Sequence, residues 1–142
     1  MTRKKYEVSE DWILEEMLKV AMEDECSDHE KYRRLSEMAN KTQDRKLLSE
    51  ISEDEKRHRK VLQYLYHTLF GKDHHCSRGH GERLGGFRES VGKSVVNEYS
   101  GISFYREILN RIPDERVRMP IRRIMADEQR HAQILEGMLE YR

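Results

Sequence analysis

Residues 54–58 read Asp-Glu-Lys-Arg-His, and residues 127–131 read Asp-Glu-Gln-Arg-His. Each is followed four residues later by a leucine, Leu62 and Leu135, and preceded by an isoleucine, Ile51 and Ile124. Laying Glu55 over Glu128 without gaps also lays Glu25 over Glu98 and Tyr32 over Tyr105. Self-similarity at one fixed offset is the mark of a duplicated structural unit. The spacing of the paired block is helical, because residues i and i+3 share one face of an α-helix. Glu55 and His58 therefore share a face, as do Glu128 and His131.

Apolar seams run outward from these blocks in alternating steps of three and four residues. The first passes through Leu14, Leu18, Ala21, Glu25, Asp28, Tyr32, Leu35 and Ala39. The second holds Leu48, Ile51, Glu55, His58, Leu62, Leu65 and Leu69. The third holds Phe87, Val91, Ser94, Glu98, Gly101, Tyr105, Ile108 and Ile112, and the fourth Ile121, Ile124, Glu128, His131, Leu135 and Met138. Four helices follow, over about 9–40, 42–70, 87–112 and from between Asp114 and Pro120 to the C-terminus. Ser9 is the expected first cap, and Pro113 ends the third helix. The only long connection, 71–86, holds five of the eight glycines. Two helical hairpins, about 9–70 and 87–141, joined by that crossover, make one all-α domain over 1–142: an antiparallel four-helix bundle.

Composition agrees with such a bundle. Of 142 residues 38% are charged and 36% hydrophobic, with 27 basic and 27 acidic side chains and only two prolines. Narrow apolar seams with broad charged faces explain the numbers. A net charge of zero argues against a nucleic-acid partner. No apolar run approaches membrane-spanning length, so no membrane is expected. The N-terminus, MTRKKYEVSEDW, has no secretory core. Two cysteines, Cys26 and Cys76, are too few for a disulfide framework or a four-thiolate zinc site. Cys26 reads as a small packed residue off the seam, and a reducing cytoplasm is the expected location.

Each seam carries a glutamate where an apolar residue belongs, and two carry a histidine one turn later. Four ionised carboxylates in one buried layer repel one another and lose their hydration. No Lys or Arg lies on the seams at that level. Two divalent cations balance the layer, four glutamates giving −4, two neutral histidines 0, and the ions +4. One Glu from each of two helices plus Glu-x-x-His from each of the other two is a known ligand set of dinuclear carboxylate bundles. The candidate metal ligands are Glu25, Glu55, His58, Glu98, Glu128 and His131. Asp28, which aligns with Gly101 in the repeat, is a candidate seventh carboxylate. Asp54 and Asp127 read as acceptors for the second ring N–H of the opposite histidine, or as exposed helix residues. Tyr32 and Tyr105 read as donors to ligand carboxylates or as core aromatics. Arg57 and Arg130 are expected on the solvated face. His74, His75, Cys76 and His80 in the crossover could hold zinc or copper, although nothing in the sequence fixes their geometry.

These residues carry a resemblance over nearly the whole chain. With Ala21-x₃-Glu25-x₆-Tyr32, Glu98-x₆-Tyr105 and the two Asp-Glu-x-Arg-His blocks, it resembles the ferritin-like, rubrerythrin-type di-iron proteins. The resemblance implies Glu55 and Glu128 as bridging carboxylates, Glu25 and Glu98 as terminal ligands, and one iron on each of His58 and His131. It implies two iron ions (Fe2+/Fe3+), with manganese or zinc as substitutes, and an oxidoreductase using O₂ or hydrogen peroxide. A non-catalytic iron-binding or storage module and a metal-stabilised structural domain are the alternatives. Rubrerythrin proper has a further glutamate three residues after its third-helix ligand, where this chain has Gly101. It also carries a rubredoxin domain with CxxC motifs, absent here. Electrons are therefore expected from a separate donor such as a rubredoxin or from ferrous iron itself, and, since bundles of this type often exchange helices or pair through exposed faces, a homodimer is expected.

Overall fold

A computed structural model describes residues 8–77 and 83–140. His80 and Tyr141 lie outside the described residues. Four helices follow one another: α1 (Trp12–Met38), α2 (Thr42–Phe70), α3 (Phe87–Leu109) and α4 (Glu115–Glu140). α1 packs against α2 and α3 against α4, as two hairpins. The duplicated unit of the sequence is thus the packing unit of an all-α four-helix bundle.

The helix ends follow local chemistry. α1 starts at Trp12, later than the expected Ser9, because Asp11 is the cap; its carboxylate accepts from the Leu14 N–H at 3.0 Å. Ser9 supports that cap, its Oγ accepting from the Asp11 N–H at 3.2 Å. α2 ends on Gly71, whose φ of 68° is the left-handed conformation that only glycine adopts freely. α3 stops at Leu109, three residues before the expected end. The Arg118 guanidinium donates to the Leu109 and Ile112 carbonyls there, closing the turn into α4. Pro120 lies inside α4, in its second turn.

A buried polar layer separates two apolar clusters. Leu14, Leu18, Leu62, Leu65, Ile108, Ile121 and Ile124 pack on one side. Tyr32, Leu35, Leu48, Ile51, Val91 and Leu135 pack on the other. Glu25, Glu55, His58, Glu98, Glu128 and His131 are all buried between them, none more than 3% exposed.

The crossover does not leave the bundle surface at once. The Ser9 N–H donates to the Leu69 carbonyl, and Lys72 pairs with Glu15 at 2.9 Å. Further along, Glu23 accepts from His74 Nε2 at 3.1 Å and from the Ser77 N–H at 3.0 Å. Cys76 is joined to Cys26 by a disulfide. The expectation that Cys26 is a free packed residue is corrected by this bond. The crossover brings Cys76 back along α1, a path the local sequence does not announce. The zinc or copper reading of the loop loses its thiol by the same bond, and His74 turns to Glu23 instead.

Candidate metal centre

The helices deliver their polar side chains to one layer in two overlapping groups. Glu25, Glu55, His58 and Glu128 offer ligand atoms within 4.8 Å of one another, as do Glu55, Glu98, Glu128 and His131. Glu55 and Glu128 belong to both groups, while each histidine and each of Glu25 and Glu98 belongs to one. His58 Nδ1 lies 3.3 Å from Glu128 Oε1, 3.4 Å from Glu55 Oε1 and 3.5 Å from Glu25 Oε2. His131 Nδ1 lies 3.2 Å from Glu55 Oε1 and 3.6 Å from Glu98 Oε1. The two rings stack with centroids 6.0 Å apart.

Residues around the groups hold each side chain in place, and each hairpin braces the other. His58 Nε2 meets Asp127 Oδ2 at 2.8 Å, and His131 Nε2 meets Asp54 Oδ2 at 2.7 Å. Tyr32 donates to Glu98 Oε1 and Tyr105 to Glu25 Oε1, both at 2.6 Å. Burial, then the Glu25 carboxylate, raises the Tyr105 phenol well above its usual range, so it stays a donor. Asp54 is held down to about 2. Burial pushes it up, but hydrogen bonds from His131, Arg130 and Arg57 outweigh that. The two arginines lie on the solvated face as expected, and their tips reach inward: Arg130 donates to Asp54 at 2.8 Å and Arg57 donates to the same carboxylate. Their side chains stay about half exposed, so only their tips belong to the site.

The centre of the layer is left without donors. Glu25 Oε2, both Glu55 oxygens, Glu98 Oε2, Glu128 Oε1, His58 Nδ1 and His131 Nδ1 are buried and have no hydrogen-bond partner among the described residues. With each Nε2–H given to an aspartate, each Nδ1 is a lone pair facing carboxylate oxygens. Lone pairs and anions pointed at one another, with no donor among them, fit a positive ion between them. Without ions, the cluster takes up protons. Burial, then Glu55 and Glu128, raises Glu25; burial, then Glu128, lifts Glu55 to about 8. His58 is raised as well: burial lowers it, but Glu128, Glu25 and Glu55 around it win.

A pocket of about 360 Å³ between α1 and α3 reaches this layer, with Asp24, Asp28, Asn97 and Phe104 at its walls and Glu25 and Glu128 at its base. A Cβ at Gly101 would touch Glu128 Oε2 at 4.0 Å, so any larger side chain there enters the pocket beside that carboxylate. Asp28, aligned with Gly101 in the repeat, belongs to neither group. It lines the pocket and pairs with Lys31 at 3.4 Å. Burial first, against the pull of Lys31, lifts it to about 6.

Residues 16–83 match the Rubrerythrin family model. The match is consistent with a domain of rubrerythrin type. Among curated proteins, this chain is 29% identical to the uncharacterised protein YhjR of Bacillus subtilis, over 87% of its own length and 84% of that protein's. A hypothetical protein from Pyrococcus furiosus shares the fold, with a TM-score of 0.79 and 22% identity over 89% of this chain and 88% of that one. The buried carboxylate and histidine cluster could bind metal.

Proposed function

We propose that the protein binds two iron ions in the bundle core and oxidises Fe(II) with O₂ or hydrogen peroxide. The observation that carries this reading is the set of seven buried carboxylate and imidazole atoms without partners, shared between two overlapping groups. Glu55 and Glu128 would bridge the ions. Glu25 with His58 would complete one ion's ligands, and Glu98 with His131 the other's. Bound iron supplies the one-electron steps that amino-acid side chains lack.

The chain's own residues supply the rest. Asp54 and Asp127 fix the histidine tautomer, leaving Nδ1 as the ligand atom. Tyr32 and Tyr105 orient the terminal carboxylates with hydrogen bonds from opposite hairpins. The apolar clusters on both sides exclude water from the layer, and the pocket beside Gly101 admits small molecules to it. The missing carboxylate at Gly101 sets this site apart from rubrerythrin proper. Electrons are expected from ferrous iron itself or from a separate donor.

Anaerobic titration with Fe(II), followed by O₂ and then peroxide, tests the reading. The expected result is saturation near two irons per chain, then ferric absorption in the near-ultraviolet that Glu55→Ala and Glu128→Ala abolish. Loading of many irons per chain points instead to storage. Equal retention of zinc and iron, with no oxidation, points to a structural metal.

A further inference from the structure

The disulfide joins the crossover to α1 directly beside the metal layer. Cys26 follows Glu25 in the chain, so one peptide bond separates its backbone from that of a carboxylate in the ligand groups. Adjacent Cα atoms are about 3.8 Å apart, and even with both side chains extended the sulfur lies within about 12 Å of the Glu25 carboxylate. Electrons cross such a separation by tunnelling without an intermediate carrier. Glu25 is buried, whereas Cys26 and Cys76 are both partly exposed. The pair therefore stands between the core and solvent.

Contacts other than the bond also hold the two cysteines together. Glu23, one turn before Cys26, accepts from His74 Nε2 at 3.1 Å, from the Ser77 N–H at 3.0 Å and from Ser77 Oγ at 3.1 Å. That grips the crossover on both sides of Cys76. The cysteine Cα atoms are 6.5 Å apart, inside the usual span of a disulfide, so making or breaking the bond needs no backbone movement. Cys76 Sγ lies 3.6 Å from the Met22 carbonyl oxygen, which can accept the thiol proton once the bond is reduced. A reduced pair held in this way reforms its bond within the molecule, at a high effective concentration.

We infer that Cys26 and Cys76 are a redox-active pair whose dithiol form gives electrons to iron in the core; this rests on the iron-oxidation reading above. Two S–H bonds break and one S–S bond forms, releasing two protons to solvent and two electrons that reduce two Fe(III) in the layer to Fe(II). Hydrogen peroxide takes the electrons of two Fe(II), with two protons, and leaves as two waters. An external dithiol then restores the pair: its thiolate attacks a partly exposed sulfur, and exchange passes the disulfide outward. The sum is one peroxide and one external dithiol giving two waters and one disulfide. The direction is favourable, because a fold that the bond stabilises favours the oxidised pair by the same free energy and makes the dithiol the better donor.

The test counts peroxide and thiols in the full chain. Protein is reduced with dithiothreitol, freed of it by anaerobic gel filtration, loaded with Fe(II) and titrated with hydrogen peroxide. Ferric absorption is followed optically, and free thiols by alkylation and mass spectrometry. A two-electron dithiol added to two Fe(II) doubles the electrons held, so the wild type should consume about two peroxides per chain before ferric absorption persists, with its thiols lost. Cys76→Ser, on the crossover and outside the ligand groups, keeps only the electrons of the iron and should consume about one, its Cys26 thiol remaining free. The reduced metal-free chain should keep both thiols under the same titration. Ferric absorption that persists from the first peroxide in the wild type, with both thiols free, overturns the proposal and leaves the iron-oxidation reading standing. Thiols lost equally fast without iron also overturn it, since peroxide would then act on sulfur directly. Absence of ferric absorption from the wild type and Cys76→Ser alike removes the iron-oxidation reading, and this proposal with it.

Discussion

His58 and His131 each have two ring nitrogens to satisfy, and each commits them to different tasks. Nε2 goes to an aspartate of the other hairpin, and Nδ1 goes to the centre of the layer. That division makes Asp127 and Asp54 determinants of metal affinity although neither belongs to a ligand group. Replacing Asp127 with Ala frees the His58 ring to rotate and removes the acceptor that favours the Nδ1 lone pair. Loss of such a support usually costs 10–100-fold in metal affinity, so about that loss is expected by competition with a chelator. Asp54 carries Arg57 and Arg130 besides His131, so Asp54→Ala should also loosen the helix surface. Unchanged affinity in Asp127→Ala, with the fold intact by circular dichroism, would mean that the His58–Asp127 contact is incidental. The glutamates and histidines were readable because a charged residue on an apolar seam contradicts its own pattern. Arg57 and Arg130 follow the pattern of a solvated face; Arg57 reaches Asp54 along its own helix, and only the neighbouring helix shows that Arg130 reaches it too.

At the scale of elements, the hairpins and the crossover obey different rules. α2 was legible from Thr42 to Phe70 because its seam, Gly71 and the following glycines agree with one another. The start of α1 was not, since Ser9 and Asp11 are both good caps and only the backbone decides between them. The crossover has no periodicity at all, and its course along α1 is set by tertiary contacts: Lys72 with Glu15, His74 and Ser77 with Glu23, and Cys76 with Cys26. Hence the disulfide was invisible in the sequence. It closes a loop with a separation of 50 residues. Chain-entropy arguments put such a cross-link at about 4 kcal/mol, acting on the unfolded state. Cys26→Ser, or reduction with dithiothreitol, should therefore lower the urea midpoint clearly, and the two effects should not add. An identical midpoint for oxidised wild type and Cys26→Ser would show that the bond gives no constraint in solution.

Across the whole molecule, a bundle that divides its apolar core with a layer of acids has a stability that depends on what fills the layer. Unfolded, Glu25 and Glu55 ionise near the ordinary 4.5; folded without metal, burial holds both protonated to higher pH, Glu55 to about 8. Between those values the folded chain binds more protons than the unfolded one, so stability falls as pH rises. His58, also raised, acts in the same direction. Asp54 acts oppositely, but its contribution fades only as pH falls towards about 2, outside this window. Metal reverses the dependence, because the ions displace those protons and bind more tightly as the ligands ionise. Scanning calorimetry of metal-free and Zn(II)-loaded protein, with zinc as a redox-silent ion, should therefore show two diverging curves between pH 5.5 and 8. One proton of difference is worth about 1.4 kcal/mol per pH unit, or about 3–5 °C in a domain of this size. The metal-free melting temperature should fall by at least that much over the window while the loaded one holds, so that the gap widens. A metal-free form that gains stability with pH would mean that the carboxylates are already ionised and hydrated, and that the layer is open to water.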